Sequence, residues 1–154
     1  LVEFPSREEL NEVMNRTTTA AMPTASKVMN RETILDWMAF VRQIVVAPHV
    51  QDYAIRLVLA THPDTEFATD MVKQYVRVGS SPRGAQAMLL TGKIKALRAE
   101  RYNVAFADIA AVAHNTLRHR ILLNFEGEAE GITTDMVIED LLQKVPREME
   151  AKVS

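Results

Sequence analysis

The sequence predicts an all-α protein, a helical bundle with at most one tiny two-stranded β element. Three observations carry that prediction. Apolar residues recur at three- and four-residue spacing in one segment after another. Ser, Thr or Asn stands ahead of several of these segments, where a helix start needs a side-chain acceptor. Only five Gly and six Pro occur in 154 residues, which fits long helices better than a many-turned β fold.

The elements follow in order. SREEL, residues 6–10, has the pattern of a capping box, with Ser6 as cap and Glu9 reaching back. A helix from Ser6 to about Thr18 is expected. Residues 17–30, TTTAAMPTASKVMN, have mixed polarity and no period, and read as a linker. Asn30 caps a helix over 31–44. Ile34, Leu35, Met38, Val41 and Val45 form one stripe, with Trp37 and Phe40 beside it. Val45 and Val46 form a very short strand candidate before Pro48. The next helix runs from Pro48 to about His62, with Val50, Tyr53, Ala54, Leu57 and Val58 on its apolar face. HPDTEFATD is a loop, and TDMVKQYVRV is helical as far as about Tyr75.

SSPRG opens a helix that runs to about Arg101. Ala85, Met88, Leu89, Gly92, Ala96 and Ala99 lie on one side of it, and Leu90, Ile94 and Leu97 nearly opposite. Two apolar faces imply a central helix sandwiched between neighbours. YNV, residues 102–104, is a second strand candidate, suited to pair with Val45 and Val46. FADIAAVAHNTLRHR carries Phe106, Ile109, Ala110, Ala113 and Leu117 at helical spacing. GEAEGI is a loop. Thr133 or Thr134 caps a last helix whose stripe is Ile138, Leu141, Leu142 and Val145, ended by Pro146.

Composition narrows the function classes. Apolar residues make up 47% and aromatic ones 6%, so Leu, Ile, Val, Met and Ala must build the core. There is no Cys, which excludes disulfides and thiolate metal sites. The formal charge of −2 mixes both signs, so nucleic acid is not an expected partner. No apolar run is long enough to cross a membrane and no signal peptide is seen, so the cytoplasm is the expected location. The chain does not begin with Met, and LVEFPSREEL reads as the interior of a longer protein.

Most chemistry-bearing motifs fail on inspection. Gly79 and Gly84 have the spacing of GxxxxG, but Ala85 and Gln86 replace the Lys and Ser/Thr that a phosphate loop requires. VIED, residues 137–140, reads as helix, with Glu139 and Asp140 on its solvated face. His49, His62, His114 and His119 form no metal-ligand spacing, and no metal is expected. Glu126, Glu128 and Glu130 read as a solvated acidic loop. GSS, residues 79–81, lacks the glycine of a nucleophile elbow. Arg118, His119 and Arg120 make a basic cluster. It supports an alternative reading, a stand-alone all-α protein- or nucleic-acid-binding module, although a surface salt-bridging face explains it as well.

Arg83 is the exception. Ser81 is placed as a helix N-cap and Pro82 at the first helical position. A cation in the first turn is disfavoured by roughly 0.3–1 kcal/mol. Its head can swing into solvent or to a nearby carboxylate. Alternatively, helix end and guanidinium face one anion, each charge-assisted contact adding roughly 1.5–3 kcal/mol. The phosphate would then be held mainly by another part of the protein.

Residues 76–132 closely resemble the C-terminal small domain of the MoxR family of AAA+ ATPases. GSSPRGAQ, ALRAERYNV with a following DI, and LRHRILLNFE occur in the family's order and spacing. ILDWMAFVRQIVVAPHVQDYAIRLVLATHPDT resembles the start of that helical lid, and FPSREEL the end of the preceding ATPase core. The resemblance implies three parts: residues 1–30 as the end of the core and a linker, 31–146 as the lid, and 147–154 as a tail. It implies that Arg83 is the second sensor arginine, reaching the γ-phosphate of ATP across a domain boundary, with Ser81 and Pro82 beside the nucleotide. ATP and Mg2+ would be held by a core absent from this chain, so the fragment is expected to bind neither tightly and to hydrolyse nothing by itself. Expected partners are that core, neighbouring subunits of a hexameric ring, and a protein with a von Willebrand factor A domain. The implied role is chaperone-like remodelling or maturation of client complexes.

Overall fold

Side-chain caps set the first helix starts, as the sequence predicts. The structure, a computed structural model, describes residues 2–20 and 24–147. The chain divides into two units, Leu1–Leu35 and Asp36–Ser154.

In the first unit, helix α1 spans Arg7–Thr17. The Ser6 hydroxyl accepts from the Glu9 N–H (3.3 Å), and the Glu9 carboxylate accepts from the Ser6 N–H (2.8 Å). These bonds hold the Glu9 carboxyl below its ordinary range. No residue of α1 is buried. The expected linker has no regular structure over 24–30, and 21–23 lie outside the described residues. Helix α2, Arg31–Gln43, starts where the Asn30 side chain accepts from the Thr33 N–H (2.8 Å).

The second unit holds the core. Helices α3 (Pro48–Leu59), α5 (Pro82–Arg98), α6 (Phe106–Leu117) and α8 (Thr134–Lys144) supply most of it. Tyr53, Leu57, Met88, Ile109, Leu117, Ile138 and Leu141 are fully buried. All five residues predicted for the inner face of α3 are buried. α5 packs against both α3 and α6. Gly92 permits the approach to α6, since a Cβ there would meet Ile109 Cδ1 at 3.1 Å and Val104 Cγ1 at 3.3 Å.

The sandwich expectation for α5 needs correction. Its small-residue face is covered, but Leu90 and Ile94 remain 40% and 46% exposed. Leu97, on that same outer face, is partly buried against the core, so the face is open along only part of the helix. The α2 stripe is also largely open: Trp37 and Met38 are at least half exposed.

Helix α4 covers Asp70–Tyr75 and passes straight into strand β1, Val76–Val78. β1 pairs antiparallel with β2, Leu122–Leu123, with an irregularity in register. The sequence did not single out this pair. The pairing it did suggest exists as an isolated parallel bridge, Val45 with Asn103, closed by Val45 N–H to Tyr102 O and Val104 N–H to Val45 O, both 3.0 Å. Part of GEAEGI is also helical: α7 spans Phe125–Ala129, capped by Asn124. Among the described residues, no helix is long and apolar enough to cross a membrane.

Candidate functional site

The start of α5 is built on two fully buried side chains, Thr61 and Ser80. Thr61 and His62 follow the end of α3, and Gly79 and Ser80 follow β1. The Ser80 N–H donates to Thr61 Oγ1 (2.8 Å), and Thr61 Oγ1 donates to the Val58 carbonyl (2.6 Å). The Ser80 carbonyl faces His62 Nε2 at 2.9 Å. A carbonyl only accepts, so Nε2 carries the proton in this contact. Both backbone polar groups of the buried Ser80 are thereby paired.

Gly79 and Gly84 explain themselves in the same geometry. A Cβ on Gly79 would lie 2.6 Å from the Thr61 carbonyl oxygen, and one on Gly84 2.1 Å from Ser80 Oγ. Their spacing therefore serves close backbone packing and is not a phosphate loop.

Ser81 occupies the N-cap position with extended backbone, as predicted, but its hydroxyl makes no cap bond. The Gly84 N–H turns back to the Ser81 carbonyl instead, at 2.8 Å. Pro82 opens the helix. Ser81, Pro82 and Arg83 are all exposed. Among the described residues, Arg83 has no carboxylate within ion-pair distance and its side chain makes no hydrogen bond.

Some other arginines are engaged, whereas Arg7 and Arg31, which open α1 and α2, are exposed like Arg83. Arg56 is 3% exposed, reaches Asp52 (2.8 Å) and donates to the carbonyls of Pro146 and Arg147. Arg118 grips Asp135 with two bonds, 2.6 and 2.8 Å, and holds that carboxyl below its ordinary range. Arg120 donates to the Thr116 carbonyl (2.9 Å), while His119 is exposed. The basic cluster is thus mostly consumed by its own fold. VIED is helical and Glu139 is exposed. Asp140, however, is not on the solvated face: its side chain is 12% exposed and paired with Lys144 at 2.6 Å.

Sequence reasoning missed Thr61, His62 and Ser80 as parts of one arrangement. The sequence offered Ser80 only as part of motifs around the helix start, and His62 as a helix end and a histidine without metal-ligand spacing. Nothing in a nineteen-residue separation marks the pair Thr61 and Ser80.

The family model of the AAA lid domain matches residues 68–141. Chaperone MoxR1 of Mycobacterium tuberculosis is 29% identical over 144 residues, covering 94% of this chain and 38% of that protein. Residues 68–141 are an AAA lid domain, and the chain is similar over nearly its whole length to MoxR-like ATPases. The lid is also similar to YeaC of Bacillus subtilis, a protein of uncharacterised function, at 27% identity over 92% of this chain and 42% of that one. A crystal structure from Cytophaga hutchinsonii, of a protein assigned as an ATPase, superposes with a TM-score of 0.76 at 30% identity, over 97% of this chain and 45% of that chain. The lid chain therefore spans less than half the length of these relatives.

Proposed function

We propose that this lid closes over ATP held by an α/β core elsewhere in the same protein, and that Arg83 is its sensor of the γ-phosphate. The observation that carries this reading is the state of Arg83: an exposed guanidinium without an ion-pair partner among the described residues, on the first turn of a helix whose backbone is pinned. An arginine kept at the end of a helix that repels it has an anion as its natural complement. The exposed Ser81 hydroxyl and Pro82 would line the same approach. When the phosphate is present, the guanidinium steadies charge on the transferring group. When it leaves, the lid loosens and its angle changes.

On this reading the parent protein hydrolyses ATP with Mg2+ held by the core, and residues 1–30 are the end of that core and a linker. Residues 31–146 are the lid and 147–154 a tail. The lid angle then acts on neighbouring subunits of a hexameric ring in the cytoplasm. The work done is chaperone-like remodelling of client complexes, beside a partner bearing a von Willebrand factor A domain. The relative named a chaperone supports that class of activity.

The test is Arg83→Ala in the full-length protein. ATP turnover should fall by about tenfold or more, on the scale of losing one charge-stabilising donor. Circular dichroism should be unchanged, because the side chain is exposed. Unaltered turnover would remove Arg83 from the site. The isolated chain should show no micromolar affinity for ATP with Mg2+.

A further inference from the structure

We propose that His62, with Thr61, is a positioning residue for Arg83: the end of α3 grips both backbone groups of Ser80 and so fixes where the sensor arginine leaves the fold. This inference rests on the reading of Arg83 just given. Among the described residues Arg83 has no side-chain partner that orients it, so its preorganisation must come from its backbone. That backbone is held three residues upstream. Thr61 Oγ1 takes the Ser80 N–H at 2.8 Å, and His62 Nε2–H gives to the Ser80 carbonyl at 2.9 Å. Thr61 and Ser80 are both 0% exposed, so water cannot stand in for the hydroxyl.

The hook is itself preformed. The Thr61 N–H donates to the Val58 carbonyl (3.1 Å) and the His62 N–H to the Leu59 carbonyl (3.0 Å). The His62 carbonyl accepts from both the N–H and the hydroxyl of Thr65, at 3.2 and 3.0 Å. Gly79 brings the two segments together so closely that a Cβ there would lie 2.6 Å from the Thr61 carbonyl oxygen and 2.8 Å from His62 Cγ. The contact therefore sets position rather than merely adding burial. A displacement of about 1 Å at a reacting group is enough to lower rates by about a hundredfold.

The chemistry distinguishes the substitutions. Glutamine carries an N–H donor at nearly the reach of imidazole Nε2, whereas leucine carries none. Serine keeps the acceptor of Thr61, and valine keeps only its shape. In the full-length protein, His62→Leu and Thr61→Val should lower ATP turnover about tenfold, while His62→Gln and Thr61→Ser should stay within about twofold. The decisive measurement adds His62→Leu to Arg83→Ala. If His62 acts through Arg83, the second change should cost no further turnover. Loss of the same factor in both backgrounds would overturn the proposal, as would wild-type turnover in His62→Leu when Arg83→Ala is impaired. If Arg83→Ala itself leaves turnover unchanged, the reading of the sensor fails and its holder fails with it. In the lid chain, faster exchange of the Ser80 amide in Thr61→Val than in Thr61→Ser would support the grip independently of turnover. Equal exchange in the two would overturn it.

Discussion

Glu100 holds a φ of 58°, the one positive φ outside glycine among the described residues. It ends α5. The Glu100 N–H donates to the Leu97 carbonyl (2.9 Å) and the Arg101 N–H to the Ala96 carbonyl (3.0 Å), the paired bonds of a Schellman cap. That cap normally carries Gly, because a Cβ is penalised in the left-handed region. Glu100→Gly should therefore stabilise the lid by about 0.5–1 kcal/mol. Thermal unfolding should show a Tm rise of about 1–4 °C; an unchanged or lower Tm would refute it. The missing glycine also explains why the sequence carried α5 on to Arg101. With no breaker at the cap, only the backbone reveals the stop. Arg83 was legible for the opposite reason. A cation at the wrong helix end is a local conflict, visible without any partner.

Asp108 shows how one side chain starts an element and ties it to the next. Ala105, at the N-cap of α6, has no side-chain acceptor. Asp108 supplies the reciprocal half of a capping box, accepting from the Ala105 N–H at 2.8 Å while its own N–H donates to the Ala105 carbonyl at 3.0 Å. The same carboxylate takes a fork from Arg101, at 2.8 and 2.6 Å. Burial pushes this carboxyl up, but the Arg101 fork and the Ala105 N–H outweigh it and hold it below its ordinary range. A depressed native pKa gives stability that is complete above the unfolded carboxyl value of about 3.9 and is lost as pH falls through the native one. Asp108→Asn should cost about 1.5–3 kcal/mol near neutral pH, the range for hydrogen bonds to charged groups. Urea unfolding should give a constant difference between about pH 5 and 8, shrinking below about pH 4. A difference that instead grew on acidification would refute the assignment.

At this scale the sequence was legible where signals are local. Ser6 and Asn30 cap as their positions imply, and of the two candidates Thr133 and Thr134 it is Thr133 that caps. It failed where a distant partner decides. β1 and β2 lie more than forty residues apart. α7 depends on Gln74 and Tyr75, which bond Glu126 (2.9 Å) and Glu130 (2.8 Å) from over fifty residues away. The exposed Leu90 and Ile94 misled for a related reason: periodicity reports an apolar face but not whether this chain covers it.

The two units differ in what holds them. None of the described residues from 2 to 35 is buried, and Val2, Phe4 and Val28 are 87–98% exposed. An eleven-residue helix with no buried face is marginal alone in water. The cap at Ser6 orders its first turn but adds no core. Among the described residues, the buried ones all lie between Ile44 and Val145, within the second unit. A chain starting at Asn30, which keeps the α2 cap, should therefore unfold in one cooperative transition. Its stability should lie within about 0.5 kcal/mol of the full 154 residues, as for changes at surface positions. Circular dichroism against temperature reads both quantities. The helical signal lost should match only α1, and the midpoint should stay within about 2 °C. A large fall in the midpoint would show that residues 1–29 stabilise the lid directly. A preserved midpoint would leave their apolar side chains to be covered from outside the lid, as the proposal that this segment ends an ATPase core requires.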